Sequence, residues 1–271
     1  MCRFFGLRAS HPTSVACCLV RARNSLMAQS RRDLQGFENA DGWGIAAYAA
    51  RAVRSVRSAS AAHAGDDFRS AAGRLKAATI IAHVRHATVG AMVVENTHPF
   101  THGAFAFVHN GTIPYFEDLR PQMLAEMSGE HRDAILGATD SEHLFHMILS
   151  ACERAPDRPL LDVVRETLRR VFHWCRAIGP HPRLGLNILL TDGERMICSR
   201  WHRTLSWLER RALADCEVCG LRHADCEPPA YRALLIASEP VTNEGWREVP
   251  ERSVCEVMPD HRLRIEPLDD A

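Results

Sequence analysis

The order of its periodic segments constrains this chain most: short β-rich runs come first, amphipathic helical stretches follow, and short β-rich runs return. Residues 3–7, 78–84 and 104–108 read as buried strands, and an Asp41-Gly42 turn feeds another beginning at Trp43. Residues 117–127 read as a helix. Thr139-Asp140-Ser141-Glu142 then caps a second, with Leu144, Phe145 and Ile148 on its apolar face. A third spans 159–178, where Leu161, Val164, Leu168, Val171, Cys175 and Ile178 recur at helical spacing and His173 and Trp174 read as packing residues. Beyond it, 186–191 and 195–200 form a hairpin across Asp192-Gly193, 204–208 continues that meander, and 233–237, 254–258 and 263–265 are further strands. This order predicts an α+β fold in which helical layers enclose stacked sheets. Near the N-terminus a turn at His11-Pro12-Thr13 should lead into a helix over 14–27, and 49–64 reads as a surface hairpin or loop.

At 271 residues with an even spread of apolar side chains, the chain is expected to form one domain over 2–271. Its 33 basic and 33 acidic residues balance, which argues against a nucleic-acid partner. No apolar run reaches the ~18 to 20 residues of a membrane span, and no secretory segment opens the chain, so a cytoplasmic protein is expected. Ten cysteines in that setting point to reduced thiols, catalysis or metal rather than a disulfide framework. Four candidate ligands, Cys216, Cys219, His223 and Cys226, lie in a polar, cysteine-rich insertion at about 212–230. They have the ligand types of a structural zinc knuckle, although the tight spacing suits reduced loop thiols as well. A closed metal site of that kind would stiffen a loop and do no chemistry.

Cys2 is the candidate nucleophile. Removal of Met1 would leave a thiol, which titrates near ~8.5, and an α-amine, near roughly 7.7 to 8.0, on one residue; the amine can then take the thiol proton and later pass one to a leaving group. Trp43, flanked by Gly42 and Gly44, is either an ordinary core residue or a substrate neighbour, with the glycines placed for close backbone approach. Arg85 and Thr88, at the end of a strand, suit a carboxylate, and a surface salt bridge is the rival reading of the arginine. Asn110-Gly111 after a strand is either a turn or the side-chain amide and bare N–H of an oxyanion hole. Asp140 caps a helix or holds an ammonium group.

Cys2, Asp41-Gly42-Trp43-Gly44, His83-Val84-Arg85-His86-Ala87-Thr88, Asn96-Thr97-His98-Pro99, His109-Asn110-Gly111 and Thr139-Asp140-Ser141-Glu142 occur in the order found in class II glutamine amidotransferases. The chain closely resembles that N-terminal nucleophile family, mainly over residues 2 to about 145 and more weakly through Ala237-Ser238-Glu239-Pro240. The resemblance implies a four-layer αββα sandwich and attack by Cys2 on the γ-amide carbon of glutamine or a γ-glutamyl compound, through a thioester. It implies that Arg85 and Thr88 hold the substrate carboxylate, Asp140 its ammonium, and Asn110 with the Gly111 N–H the oxyanion, with His98 structural to the pocket. No cofactor is required for that chemistry. His86 departs from synthase-fused relatives, which carry an aromatic residue there. With no segment large enough for a synthase domain, the chain resembles the stand-alone branch, which includes hydrolases of γ-glutamyl compounds. A separate synthase subunit is a partner this implies, if the enzyme supplies ammonia rather than acting alone. The alternative is a non-catalytic glutamyl-binding or scaffold protein that uses the cysteine-rich loop for partner contact.

Overall fold

The computed structural model describes residues 2–49 and 52–268. The removal of Met1 therefore lies outside the described residues. Among the described residues, thirteen strands form two antiparallel sheets. The first contains β1 (Arg3–Ser14), β2 (Trp43–Ala49), β3 (Ala52–Ser58), β4 (Lys76–Val84), β9 (Ser206–Arg210), β10 (Ala233–Ala237) and β11 (Arg247–Glu248), in the order β11-β9-β10-β1-β4-β2-β3. The second contains β5 (Phe100–His102), β6 (Phe105–Thr112), β7 (Gly185–Thr191), β8 (Met196–Arg200), β12 (Ser253–Val257) and β13 (Leu263–Pro267), in the order β13-β12-β8-β7-β6-β5.

The period-two alternation of the strands makes this a sandwich. On β1, Phe4 points between the sheets while Phe5, Leu7 and Ala9 point outward. On β6 and β7, Ala106, Val108 and Leu189 face the inter-sheet core, whereas Phe107, Ile188 and Leu190 face the helices. Both faces of the central strands are therefore buried, and each sheet needs a helical cover. Helices α1 (Leu26–Arg31) and α2 (Asp67–Gly73) cover the first sheet through Leu26, Phe68 and Ala72. The second is covered by α3 (Phe116–Ala125), α5 (Asp140–Arg154) and α6 (Leu160–Ile178), with α4 (Gly129–Asp133) a short turn beside α5. The result is the expected αββα order of layers.

Several local expectations change. The strand at the N-terminus does not stop at residue 7: β1 continues to Ser14 through a register irregularity between Arg8 and Thr13, because β4 and β10 pair with its two edges. The helix expected over 14–27 is thus a π-helical turn, Cys17–Arg21, followed by the short α1. Asn110 and Gly111 do not form a turn; they lie within β6, opposite Asn187 and Leu186 of β7. The strand at 204–208 leaves the β7–β8 meander and joins the other sheet as β9, between β10 and β11. On α6 the expected apolar face is buried except for Ile178, which is exposed, and His173 faces solvent rather than packing.

Candidate active site

Cys2 stands at the open end of β1, where Arg3 and Val84 are paired across to β4. An ion cluster anchors this end. The Arg3 guanidinium is 1 % exposed and meets Asp33 at 2.8 Å and Glu239 at 2.9 Å, while also donating to the Cys2 carbonyl at 2.9 Å. A cation so deeply buried is tolerated because two carboxylates and a carbonyl surround it. Ser238 completes the anchor: its N–H donates to the Phe4 carbonyl and its Oγ accepts from Phe4 N–H, both at 3.0 Å.

Beyond β4 the chain runs close past the thiol. His86 N–H donates to Cys2 Sγ at 3.2 Å, and the sulfur lies 3.3 Å from the His86 carbonyl. This segment is held by Asp41, whose carboxylate accepts Ala87 N–H at 2.8 Å, and by the backbone bond from Arg85 N–H to the Gly42 carbonyl. The sequence expectation of close approach beside Trp43 holds for Gly44, where a Cβ would lie 2.3 Å from the His98 carbonyl oxygen. Trp43 itself is a core residue, edge-on to Phe68 of α2. Burial pushes the Cys2 thiol up, while the His86 N–H and the charges of Arg85 and Arg3 pull it back.

Arg85 is buried rather than in a surface salt bridge. Its guanidinium donates to the carbonyls of Ala91, Val89 and Gly90 at 3.0, 2.9 and 3.2 Å, and it feels the charges of Cys2, Asp41 and Asp140. Those three bonds leave its Nε–H and a second Nη1–H without an acceptor among the described residues. Exposed Thr88 meets Thr112 hydroxyl to hydroxyl at 3.1 Å, next to Gly111. The buried Asn110 amide lies 3.4 Å from Ser238 Oγ, the same hydroxyl that holds Phe4. Gly111 has a packing reason to be glycine, since a Cβ there would fall 1.9 Å from the Gly185 carbonyl oxygen.

Capping and binding separate at the start of α5. Thr139 is the cap, accepting Glu142 N–H at 3.2 Å, and Asp140 is the first helical residue. The Asp140 carboxylate accepts Ile113 N–H at 2.7 Å and Ser141 N–H at 2.8 Å, which ties α5 to the end of β6. Cys2, Arg85, Asn110 and Asp140 therefore converge where β1 and α5 begin and β4 and β6 run out.

His98 is not part of the thiol's contact shell. It packs 4.2 Å from His83 and 4.5 Å from Phe100, ring to ring, and burial holds both histidines well below their ordinary pKa, His83 at about 3. Residues that sequence reasoning left without a role are Arg3, Asp33, Ser238, Glu239 and Asn96. Asn96 accepts Ala138 N–H at 2.8 Å and donates to the Ala91 carbonyl at 3.0 Å, joining the two loops that flank the site. A charged residue at the head of the apolar run over residues 4–7 was the available signal for Arg3.

A family model of class II glutamine amidotransferases matches residues 1–258. The chain belongs to the class II glutamine amidotransferases. It is thus an enzyme of a family acting on glutamine or γ-glutamyl substrates. This amidotransferase is 31 % identical to the gamma-glutamyl-hercynylcysteine sulfoxide hydrolase of Mycobacterium tuberculosis, over 95 % of this chain and 93 % of that one. It is 26 % identical to the probable glutamine amidotransferase DUG3 of Saccharomyces cerevisiae, over 100 % of this chain and 85 % of that protein. Among solved structures, a glutamine aminotransferase class-II domain protein from Silicibacter pomeroyi superposes with a TM-score of 0.66 at 18 % identity, covering 98 % of both chains. The Bacillus subtilis glutamine phosphoribosylpyrophosphate amidotransferase superposes at 0.63 and 19 % identity, over 98 % of this chain and 49 % of that one. These solved structures share the N-terminal nucleophile sandwich. No helix among the described residues is long and apolar enough to cross a membrane.

Proposed function

We propose that the amidotransferase cleaves the γ-amide of glutamine or of a γ-glutamyl compound, with Cys2 as nucleophile and residues 2–271 acting as one domain. The convergence of Cys2 with Arg85, Asn110 and Asp140 at one end of the sandwich carries this reading. Once Met1 is removed, the Cys2 α-amine takes the thiol proton and Sγ attacks the γ-carbonyl carbon. The amide of Asn110 and the Gly111 N–H receive the developing oxyanion. The tetrahedral species collapses, the C–N bond breaks, and the ammonium proton goes to the departing amine or ammonia. Water, deprotonated by the freed amine, then attacks the thioester and releases glutamate, and the thiol is restored. Through its two remaining N–H donors Arg85 takes the substrate α-carboxylate with Thr88, and Asp140 takes the α-ammonium. These contacts address the glutamyl half shared by glutamine and γ-glutamyl compounds. The chemistry uses no metal or organic cofactor, and a synthase subunit enters only if the released ammonia has an acceptor.

The test is mass spectrometry of the purified chain before and after treatment with an electrophilic diazoketone analogue of glutamine. The proposal expects loss of Met1 and one stoichiometric adduct on Cys2, suppressed by excess glutamine or γ-glutamyl compound. A retained Met1 with no adduct on Cys2 would overturn catalysis and leave the binding or scaffold reading.

A further inference from the structure

A second group of cysteines gathers on the side of the first sheet away from the inter-sheet core. The connection from β9 to β10 runs over residues 211–232, and its only regular element is the single turn Pro228–Ala230. A connection longer than roughly 12 to 15 residues without structure of its own needs something to hold it. Cys216, Cys219 and His223 of this connection meet Cys17, which opens the π-helical turn after β1. The four donor atoms lie within 4.8 Å of one another, with Cys219 Sγ and His223 Nε2 3.2 Å apart.

We propose that Cys17, Cys216, Cys219 and His223 bind one structural Zn²⁺, which clamps the β9–β10 connection to the turn following the strand that carries Cys2. Bonds of about 2.3 Å to sulfur and about 2.0 Å to nitrogen space tetrahedral donors by roughly 3.5 to 3.8 Å, so small side-chain shifts close the site. A disulfide would join only two of these groups and leave the other thiol and the imidazole unused.

The local backbone has the form such a site requires. Val218 N–H donates to Cys216 Sγ at 3.4 Å, Gly220 N–H reaches the Cys216 carbonyl at 2.7 Å, and Gly220 takes φ +69°. A backbone N–H aimed at a ligating sulfur orients it and stabilises its thiolate. The second half is held against β1 by Ser14 N–H donating to the His223 carbonyl at 2.9 Å and by a bridge between Thr13 and Ala224.

Burial and the Arg210 and Arg21 charges lower the His223 pKa, the direction that favours a neutral ligating imidazole. Burial raises the Cys219 thiol, but the Leu221 N–H, the neighbouring thiols and Arg21 outweigh it and hold it below its ordinary value. Burial among thiols pushes Cys17 up to about 12, so in the absence of a cation it stays protonated. Zn²⁺ displaces the three thiol protons to solvent and leaves a net single negative charge, which Arg21 and Arg210 face. Four protein donors close the coordination shell, which makes the site structural rather than catalytic. Cys226, the fourth ligand that sequence spacing suggests, is not in the cluster; it packs against the apolar layer beneath the helices of the first sheet.

Elemental analysis by plasma mass spectrometry of the full chain tests this, alone and with Cys17→Ser, Cys216→Ser and Cys226→Ser. One zinc per wild-type chain is expected, near-complete loss in the first two variants, and an unchanged ratio in Cys226→Ser. Should the variants fail to fold, differential alkylation of the wild-type chain gives a second readout. Cys216 and Cys219 should become reactive only after chelation, and Cys226 should react equally before and after. Cobalt substituted for zinc should show thiolate-to-metal charge transfer and the intense visible bands of a tetrahedral ion. The proposal fails if the wild-type chain, incubated with Zn²⁺ and desalted, holds no metal. It fails equally if Cys226→Ser loses the metal while Cys17→Ser keeps it, or if two of the cluster cysteines prove to be disulfide-bonded.

Discussion

Cys2 and Cys17 stand at opposite ends of one strand and meet opposite surroundings. Cys2 sits half-buried at the start of β1, beside the His86 N–H and carbonyl and within reach of the Arg85 and Arg3 charges. Cys17 lies where the chain turns away from β1, buried against two other thiols and an imidazole. The first setting suits the proposed attack on a carbonyl, whereas the second surrounds a thiol with soft donors that suit the proposed cation. A cysteine's chemistry in this fold follows from what the neighbouring strands bring to it.

Removing the thiol at the open end tests the contrast most severely. Cys2→Ala should lower γ-glutamyl hydrolysis by several orders of magnitude while leaving the metal content of the chain unchanged. Ammonia or amine release, followed beside elemental analysis, checks both halves, and a simultaneous loss of zinc would show that the two regions are not independent. The next effect is smaller. Asn110→Ala should cost roughly a hundredfold or more in kcat, with KM changed much less, as steady-state kinetics will show; a pure KM effect would remove Asn110 from the oxyanion site.

Arg85→Lys should raise KM for glutamine about tenfold, because a point charge replaces a two-pronged donor. The same substitution breaks the bonds to the 89–91 carbonyls, so binding of free glutamate by calorimetry is needed beside the kinetics. Weaker glutamate binding supports the carboxylate role, whereas unchanged affinity with lower thermal stability would make Arg85 only a loop anchor.

The gentlest test uses acid. Burial holds His83 at about 3 and His98 well below its ordinary value, so between the unfolded value of about 6.5 and these lower ones the unfolded chain binds protons that the folded chain does not. Stability from these two groups is therefore fully present above about pH 6.5 and is lost as pH falls toward about 3 for His83. Each should remove up to about 1.4 kcal/mol per pH unit within that window. Urea unfolding at a series of pH values, repeated with a chelator present, separates this loss from proton competition at the thiol cluster. If chelation flattened the whole acid dependence, the histidine account would be wrong.

Much of the Cys2 region was legible because its residues fall in short contiguous motifs. A strand, a turn or a helix cap carries each one, and local rules place strands, turns and caps. Of the two readings that Asn110-Gly111 left open, the turn is excluded for a nonlocal reason. The partner strand β7 begins at Gly185, and pairing with it overrides the turn preference of the two residues. Asp33 and Glu239 were silent for the same reason, since their charges and that of Arg3 neutralise one another only after folding.

The cysteine-rich region shows the division most clearly. Sequence by itself determined that soft ligands cluster near residue 220, that a nucleophile-like Cys2 leads a buried strand, and that helices must cover stacked sheets, because composition and periodicity are local properties. Tertiary structure alone decided which cysteine completes the cluster. Antiparallel pairing of Ala9 with Ala233 lays the residues after β1 alongside those before β10. That register brings Cys17 to His223 and leaves Cys226 to the apolar layer. Strand pairing is a contact between distant segments, and no spacing within either segment encodes it.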